Sequence, residues 1–112
     1  MSDNLMVLWT SGDREVALKV VLMYVRNAEK NNWWDEVELV IWGPSAKLLS
    51  GDEELQVYIK EMVDNNIKVR ACKACSDLYG VSDELAKLGI DVVYMGKPLT
   101  DRLKSSWKVI TF

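Results

Sequence analysis

The stretch "LMVLWTSGDREVALKVVLMYV" (residues 5–25) decides the fold class of this chain. It begins with the continuous apolar run Leu5–Trp9, which is typical of a strand whose two faces are both covered. A polar turn follows, and it places Ser11 or Asp13 to cap a helix. The apolar residues after the turn predict a helix from about residue 14 to residue 31. A buried strand that leads through a short turn into a helix is the repeating unit of an α/β protein.

The same alternation of strands and helices continues to the end of the chain. Strands that alternate with helices imply a parallel sheet with right-handed crossovers. We therefore expect an α/β fold in a single domain over residues 1–112, without a linker or an internal repeat. Apolar or alternating runs bounded by turns predict five strands, at residues 4–9, 37–42, 67–71, 91–94 and 107–111.

Capping patterns predict where the helices between these strands begin and end. Ser50 and Glu53 have the S-x-x-E spacing of a capping box, and the helix that they open is expected to end at Asn65. Ser82 is expected to cap a later short helix, which Gly89 stops. Shorter helical turns are expected in "PSAKLLS" (44–50) and "PLTDRLKSS" (98–106).

Composition and charge argue against several classes of protein. The chain is 49% hydrophobic and 28% charged, and its net charge of −3 argues against a nucleic-acid or anionic-membrane surface. Its apolar runs are shorter than a membrane span, and the acidic N-terminal "MSDN" does not resemble a signal peptide. We expect a cytoplasmic protein whose thiols are kept reduced. Because the sequence has no histidine, Ser-His and Cys-His catalysis and His-ligated metals are excluded.

The carboxyl ends of the predicted strands bring both cysteines to one edge of the sheet, where α/β proteins bind their ligands. Cys72 lies where the third strand ends and a helical segment begins, and unpaired backbone N–H groups there favour a thiolate. Lys97, from a neighbouring strand end, adds positive charge. The turn after the first strand is interpreted first as a helix cap and only second as an anion site, because it lacks the known nucleotide-binding glycine patterns. The predicted strand ends at this edge are residues 10–13, 43–45, 72–75 and 96–98.

The spacing of Cys72 and Cys75 is compatible with several kinds of chemistry. A thiolate in an exposed crevice can attack a disulfide or hold a transferred sulfur as a persulfide. A free cysteine is also often buried and inert, and this alternative weighs more for Cys75, one turn further on, where the side chain can point inward. A C-x-x-C spacing also occurs in redox and metal sites, but two thiols fall short of the four ligands that zinc or an iron–sulfur cluster normally needs. We therefore expect neither a metal nor a cofactor.

The predicted first helix is apolar over more of its surface than packing on one sheet requires. We predict a second buried surface on this helix, and hence association of identical subunits. Five tryptophans, two of them adjacent at residues 33 and 34, support this prediction because tryptophan is enriched at interfaces. The alternative is that the aromatic residues only fill the core and the helix ends. The residues expected to contribute to the second surface are Val16, Leu18, Met23 and Val25.

Four stretches together resemble the DsrE/DsrF-like family of small sulfur-handling proteins. They are "VLWTSGD" (7–13), "NNIKVRACKACSDLYGV" (65–81), "LAKLGIDVVYMG" (85–96) and "LTDRLKSSWKVITF" (99–112). Cys72 and Gly80 fit the family's spacing between a strand-ending cysteine and a later glycine. The resemblance implies a three-layer α/β/α sandwich with a five-stranded parallel sheet, assembled into trimers or hexamers.

The resemblance also implies a function, a sulfur carrier or sulfurtransferase-like protein that holds sulfane sulfur as a persulfide on Cys72. Cys75 would be a resolving or auxiliary thiol, and sulfur donor and acceptor proteins would be its partners. Two other hypotheses stay open: an oligomeric module that binds a small anion or nucleotide, with structural cysteines, and a dithiol/disulfide redox protein. The residues expected to line the crevice as ligand-binding groups are Thr10, Ser11, Gly12, Ser45 and Lys97.

Overall fold

A computed structural model describes residues 2–112 and shows a five-stranded parallel sheet in the order β4-β3-β2-β1-β5. Every neighbouring pair of strands in it is parallel. Each predicted strand is present, with bounds that differ from the prediction by one residue at most. The strands are β1 (Asn4–Trp9), β2 (Glu36–Ile41), β3 (Lys68–Cys72), β4 (Asp91–Val93) and β5 (Lys108–Thr111).

Six helical elements connect these strands in the described residues. The first, α1, is continuous and consists of an α-helical turn (Arg14–Val16), a π-helical turn (Ala17–Val21) and a longer α-helix (Leu22–Lys30). The others are α2 (Pro44–Ser50), α3 (Glu53–Asp64), α4 (Lys73–Tyr79), α5 (Ser82–Lys87) and α6 (Gly96–Leu103).

Two of the predicted helix caps are wrong, for the same physical reason. An N-cap residue lies outside the helix with an extended backbone. Asp52 meets this condition and accepts a hydrogen bond from the Leu55 amide, whereas Ser50 is still the last residue of α2. Ser82 is already the first residue of α5, and its hydroxyl donates to the Asp77 carboxylate instead of capping. The cap of α1 is Asp13, one of the two residues predicted for it.

The sheet has helices on both faces, as a three-layer α/β/α sandwich requires, but the two layers are unequal. Residues with odd numbers in β1, such as Val7 and Trp9, face the larger core, which α1, α2, α3 and α5 cover. Met6 faces the other way, into a smaller core with Val40, Cys72 and Met95. Leu99 of α6 packs on this smaller core. The cysteine pair therefore belongs to the thinner layer.

A buried ionic cluster attaches α6 to the sheet on the thinner side. Glu38 of β2 is 1% exposed, and its carboxylate lies 3.1 Å from Arg70 Nε of β3 and 3.1 Å from Arg102 Nη2 of α6. The Arg102 guanidinium also lies 3.8 Å from the ring centroid of Trp107, within the range of a cation–π interaction. The cluster therefore joins two strands and the helix over the smaller core.

The outer side of α1 differs partly from the prediction. Val25 is completely buried in the larger core, because it lies on the sheet-facing side of the helix, so its assignment to a second surface is wrong. Met23 and Val20 are exposed, at 50% and 39%, and Trp33 is 55% exposed. Trp34 is half-buried and donates from its indole to the Tyr24 hydroxyl. At this helix, Met23, Val20 and the nearby Trp33 are therefore apolar residues that the predicted association could cover.

Candidate functional site

The carboxyl ends of β1 and β2 are tied together by Ser45. Its side chain is completely buried, and its hydroxyl donates to the Trp9 carbonyl at 2.6 Å and accepts from the Trp42 amide at 3.1 Å. The Ser45 amide also donates to the Thr10 carbonyl. These hydrogen bonds fix the turn Gly43–Pro44 that follows β2. The helix α2 that begins at this turn packs against α4, the helix that carries Cys75.

Cys72 ends β3 and is also the N-terminal flanking residue of α4, with φ −70° and ψ 114°. The residue is only 4% exposed. Its strand position is paired with Val93 of β4, and its side chain belongs to the cluster of Met6, Val40 and Met95. The first thiol of the pair is thus enclosed by apolar side chains.

Cys75 lies in the first turn of α4 and is half-buried against the same apolar cluster. Burial raises the pKa of its thiol, the nearby backbone N–H of Gly43 lowers that pKa, and the neighbouring Cys72 thiol raises it. Both cysteines are free thiols. Three groups from different elements, two thiols and one backbone amide, therefore meet at the end of β3.

The sequence matches the model of a known protein family over nearly its whole length. The model of the DsrE/DsrF-like family matches residues 4–112. The chain belongs to the DsrE/DsrF-like family. No curated protein matches it significantly.

Solved structures of similar shape support the family fold. A conserved protein of unknown function from Bacteroides thetaiotaomicron is 35% identical, with a TM-score of 0.94 over 98% of this chain and 95% of its own. A protein of unknown function from Methanobacterium thermoautotrophicum is 20% identical, with a TM-score of 0.79 over 100% of both chains. The ychN protein of E. coli is 17% identical, with a TM-score of 0.69 over 100% of both chains. The last two likenesses concern the fold alone.

The exposure of the two thiols in this DsrE/DsrF-like protein is the reverse of the sequence expectation. Cys72 was expected in an exposed crevice and is buried, whereas Cys75 was considered for an inward position and is the more accessible thiol. The alternation of β3 turns the side chain of Cys72 onto the sheet face that α6 and Met95 cover. Cys75 is displaced by one helical turn toward the surface.

The five residues predicted to bind a ligand make different contacts within this DsrE/DsrF-like fold. The hydroxyl of Thr10 donates to the Phe112 carbonyl, and that of Ser11 accepts from the Asp13 amide. A Cβ on Gly12 would lie 3.2 Å from that of Pro44, so close packing favours glycine there. Ser45 has the internal bonds described above, and Lys97 is exposed and paired with Asp101. Their ligand-binding role remains a prediction.

Sequence analysis placed residues 43–45 and 72–75 at this edge but did not name Gly43 or Lys73 as site residues. Gly43 has φ +70°, a conformation that favours glycine, although a Cβ there would meet no neighbour within 4 Å. A glycine directly after a buried strand was the available signal for this turn. Lys73 lies between the cysteines in the sequence; it pairs with Asp77, and its ammonium group lies 5.7 Å from the Tyr94 ring centroid.

Two further properties concern the described residues 2–112 as a whole. They contain no cluster of three or more histidine, cysteine, aspartate or glutamate side chains arranged to hold a metal ion. None of the helices among them has the length and apolar character needed to cross a membrane.

Proposed function

We propose that this protein is a cytoplasmic sulfur carrier that holds sulfane sulfur as a persulfide on Cys72, with Cys75 as its auxiliary thiol. The observation that supports the proposal is the meeting of the two free thiols at the carboxyl end of β3, in a chain of the DsrE/DsrF-like family. A carrier needs a thiol and protection for its cargo, but it needs no general acid or base. The chain offers two thiols for this role. It has no histidine, the side chain that most often serves as a general acid or base, and a carrier does not need one.

The surroundings of Cys72 suit storage of a persulfide. A persulfide is lost when a second thiol attacks it, and the rate of attack depends on access. Met6, Val40 and Met95 enclose Cys72, which is 4% exposed. A sulfur held there is therefore shielded from small thiols in solution, and its release depends on an acceptor that can reach the site.

The same proposal includes partners. Identical subunits, in a trimer or hexamer, would cover the exposed apolar residues of α1, of which Met23 is the most exposed. Sulfur donor and acceptor proteins would supply and remove the cargo. Neither nucleic acid nor a membrane is part of the proposal.

Mass spectrometry after incubation with a persulfide donor tests the carrier function. Wild type, Cys72→Ser and Cys75→Ser are loaded, freed of donor, incubated with excess glutathione and weighed intact. We expect wild type and Cys75→Ser to retain one added sulfur and Cys72→Ser to retain none. A wild-type protein that gains no sulfur would contradict the proposal and favour the binding-module hypothesis.

A dithiol/disulfide redox function is the second candidate, because two free thiols lie beside the same apolar cluster, three residues apart at the start of α4. It predicts a different product in the same measurement. Treatment with oxidant would join Cys72 and Cys75 and lower the mass by two hydrogens, whereas persulfide donor would add no lasting sulfur. A loaded protein that keeps the added sulfur and contains no disulfide between Cys72 and Cys75 argues against this candidate.

A further inference from the structure

The two thiols of the pair differ in access although they contact the same apolar cluster. Cys72 is part of the buried set itself, together with Met6, Val40 and Met95. Cys75 packs against this set from outside and keeps part of its surface open to solvent. A donor molecule that approaches the site from solution therefore meets Cys75 before it meets Cys72.

We infer that Cys75 is the thiol that receives sulfur from a persulfide donor and that it passes this sulfur inward to Cys72. The inference rests on the proposed carrier function and adds to it an order of transfer. Cys75 then takes up the sulfur from the donor, and Cys72 stores it.

The first step is an exchange between the donor and Cys75. The Cys75 thiolate attacks the terminal sulfur of a donor persulfide, R–S–SH. The S–S bond of the donor breaks, a new S–S bond forms on Cys75, and the donor leaves as a thiolate that takes up the proton released by Cys75. The products are Cys75–S–SH and R–SH, with no external oxidant or reductant.

The second step repeats the exchange inside the protein. The Cys72 thiolate attacks the terminal sulfur of the Cys75 persulfide, the S–S bond to Cys75 breaks, and the Cys75 sulfur recovers the proton that Cys72 gave up. Attack on the inner sulfur would instead form a disulfide and release hydrogen sulfide. Both thiols contact the same apolar cluster at the junction of β3 and α4, so this second step passes the sulfur between neighbouring side chains.

Gly43 lies directly before α2, which packs against α4, the helix that carries the receiving thiol. Its N–H lowers the pKa of the Cys75 thiol and so favours the thiolate, the form needed both for attack and for departure. The peptide that carries this N–H is held by the Ser45 hydroxyl, which donates to the Trp42 carbonyl at 3.1 Å.

Rates of loading test the order of transfer. Wild type, Cys75→Ser and Cys72→Ser are mixed with glutathione persulfide, quenched at intervals and weighed. We expect Cys75→Ser to load about tenfold or more slowly than wild type, because buried Cys72 must wait for local opening. Cys72→Ser should load at the wild-type rate but lose its sulfur to excess glutathione about tenfold faster, since access controls the attack. A wild type that never loads contradicts the carrier function, whereas equal rates for Cys75→Ser and wild type overturn only the order.

A second measurement uses the unaltered protein and so does not depend on the folding of variants. Reduced native wild type is treated with substoichiometric iodoacetamide, then denatured, digested and mapped. We expect the label on Cys75, with Cys72 labelled at a comparable rate only in denaturant. Preferential labelling of Cys72 in the native protein would overturn the inference.

Discussion

Replacement of Glu38 by glutamine tests the energetic role of the buried ionic cluster. The Glu38 Oε2 atom accepts from Arg102 Nη2 at 3.1 Å and from Nε at 3.3 Å. The Oε1 atom lies 3.1 Å from Arg70 Nε but is poorly aligned for a hydrogen bond, so that pair is held mainly by charge. Glu38→Gln removes the only negative charge between two guanidinium groups while it preserves the size of the side chain.

The loss of stability expected for Glu38→Gln follows from the burial of the Glu38 carboxylate. Breaking a fully buried ion pair by removal of one partner costs about 3–5 kcal/mol, because the other charge is left uncompensated. The arginine side chains keep 16% and 27% of their surface exposed, so solvent offsets part of this cost. We expect Glu38→Gln to lower the free energy of unfolding by about 2–3 kcal/mol. For a domain of this length the corresponding fall in Tm is about 10 °C.

Urea unfolding and calorimetry measure this loss, at one fixed protein concentration because association would add to the apparent stability. Glu36→Gln is the matched control, since Glu36 lies two residues earlier on the same strand and is exposed. We expect the control to change stability by less than about 0.5 kcal/mol. Equal losses for the two variants would refute the reasoning, because burial of the charge would then have no measurable consequence.

Three further predictions concern a helix cap, the accessible thiol and the outer side of α1. Asp52→Ala removes the cap of α3 and the 2.7 Å ion pair with Arg14, and should cost about 1 kcal/mol in urea unfolding; Glu53→Ala, at the next and exposed position, should cost clearly less. Burial raises the pKa of the Cys75 thiol above its ordinary value, so its alkylation rate should still rise with pH where that of free cysteine levels off, and a plateau at the same pH as free cysteine, or lower, would contradict this. Light scattering should show an oligomer that Met23→Lys dissociates, whereas a wild-type monomer at micromolar concentration would refute the predicted association.

Local patterns in the sequence were sufficient to locate the strands and to identify the family. The apolar run of β1 and the turns around β3 specify backbone conformation over a few residues, and each strand was located to within one residue. The strand-ending Cys72 and the later Gly80, which adopts φ +70° at the end of α4, were also visible as spacing. The cap of α3 was not located, because the S-x-x-E spacing predicted Ser50 whereas the structure uses Asp52. Only the end of α2 decides between them.

Only the tertiary structure decided what surrounds each side chain at the site. Glu38, Arg70 and Arg102 come from three distant elements, and nothing near any one of them in the sequence indicates the other two. The same holds for Cys72, whose burial depends on α6 and Met95 covering that face of the sheet. Spacing along the chain determines which residues share a strand or a helical turn. Exposure and pairing depend instead on which elements pack over that face, and this is set by contacts between segments far apart in sequence.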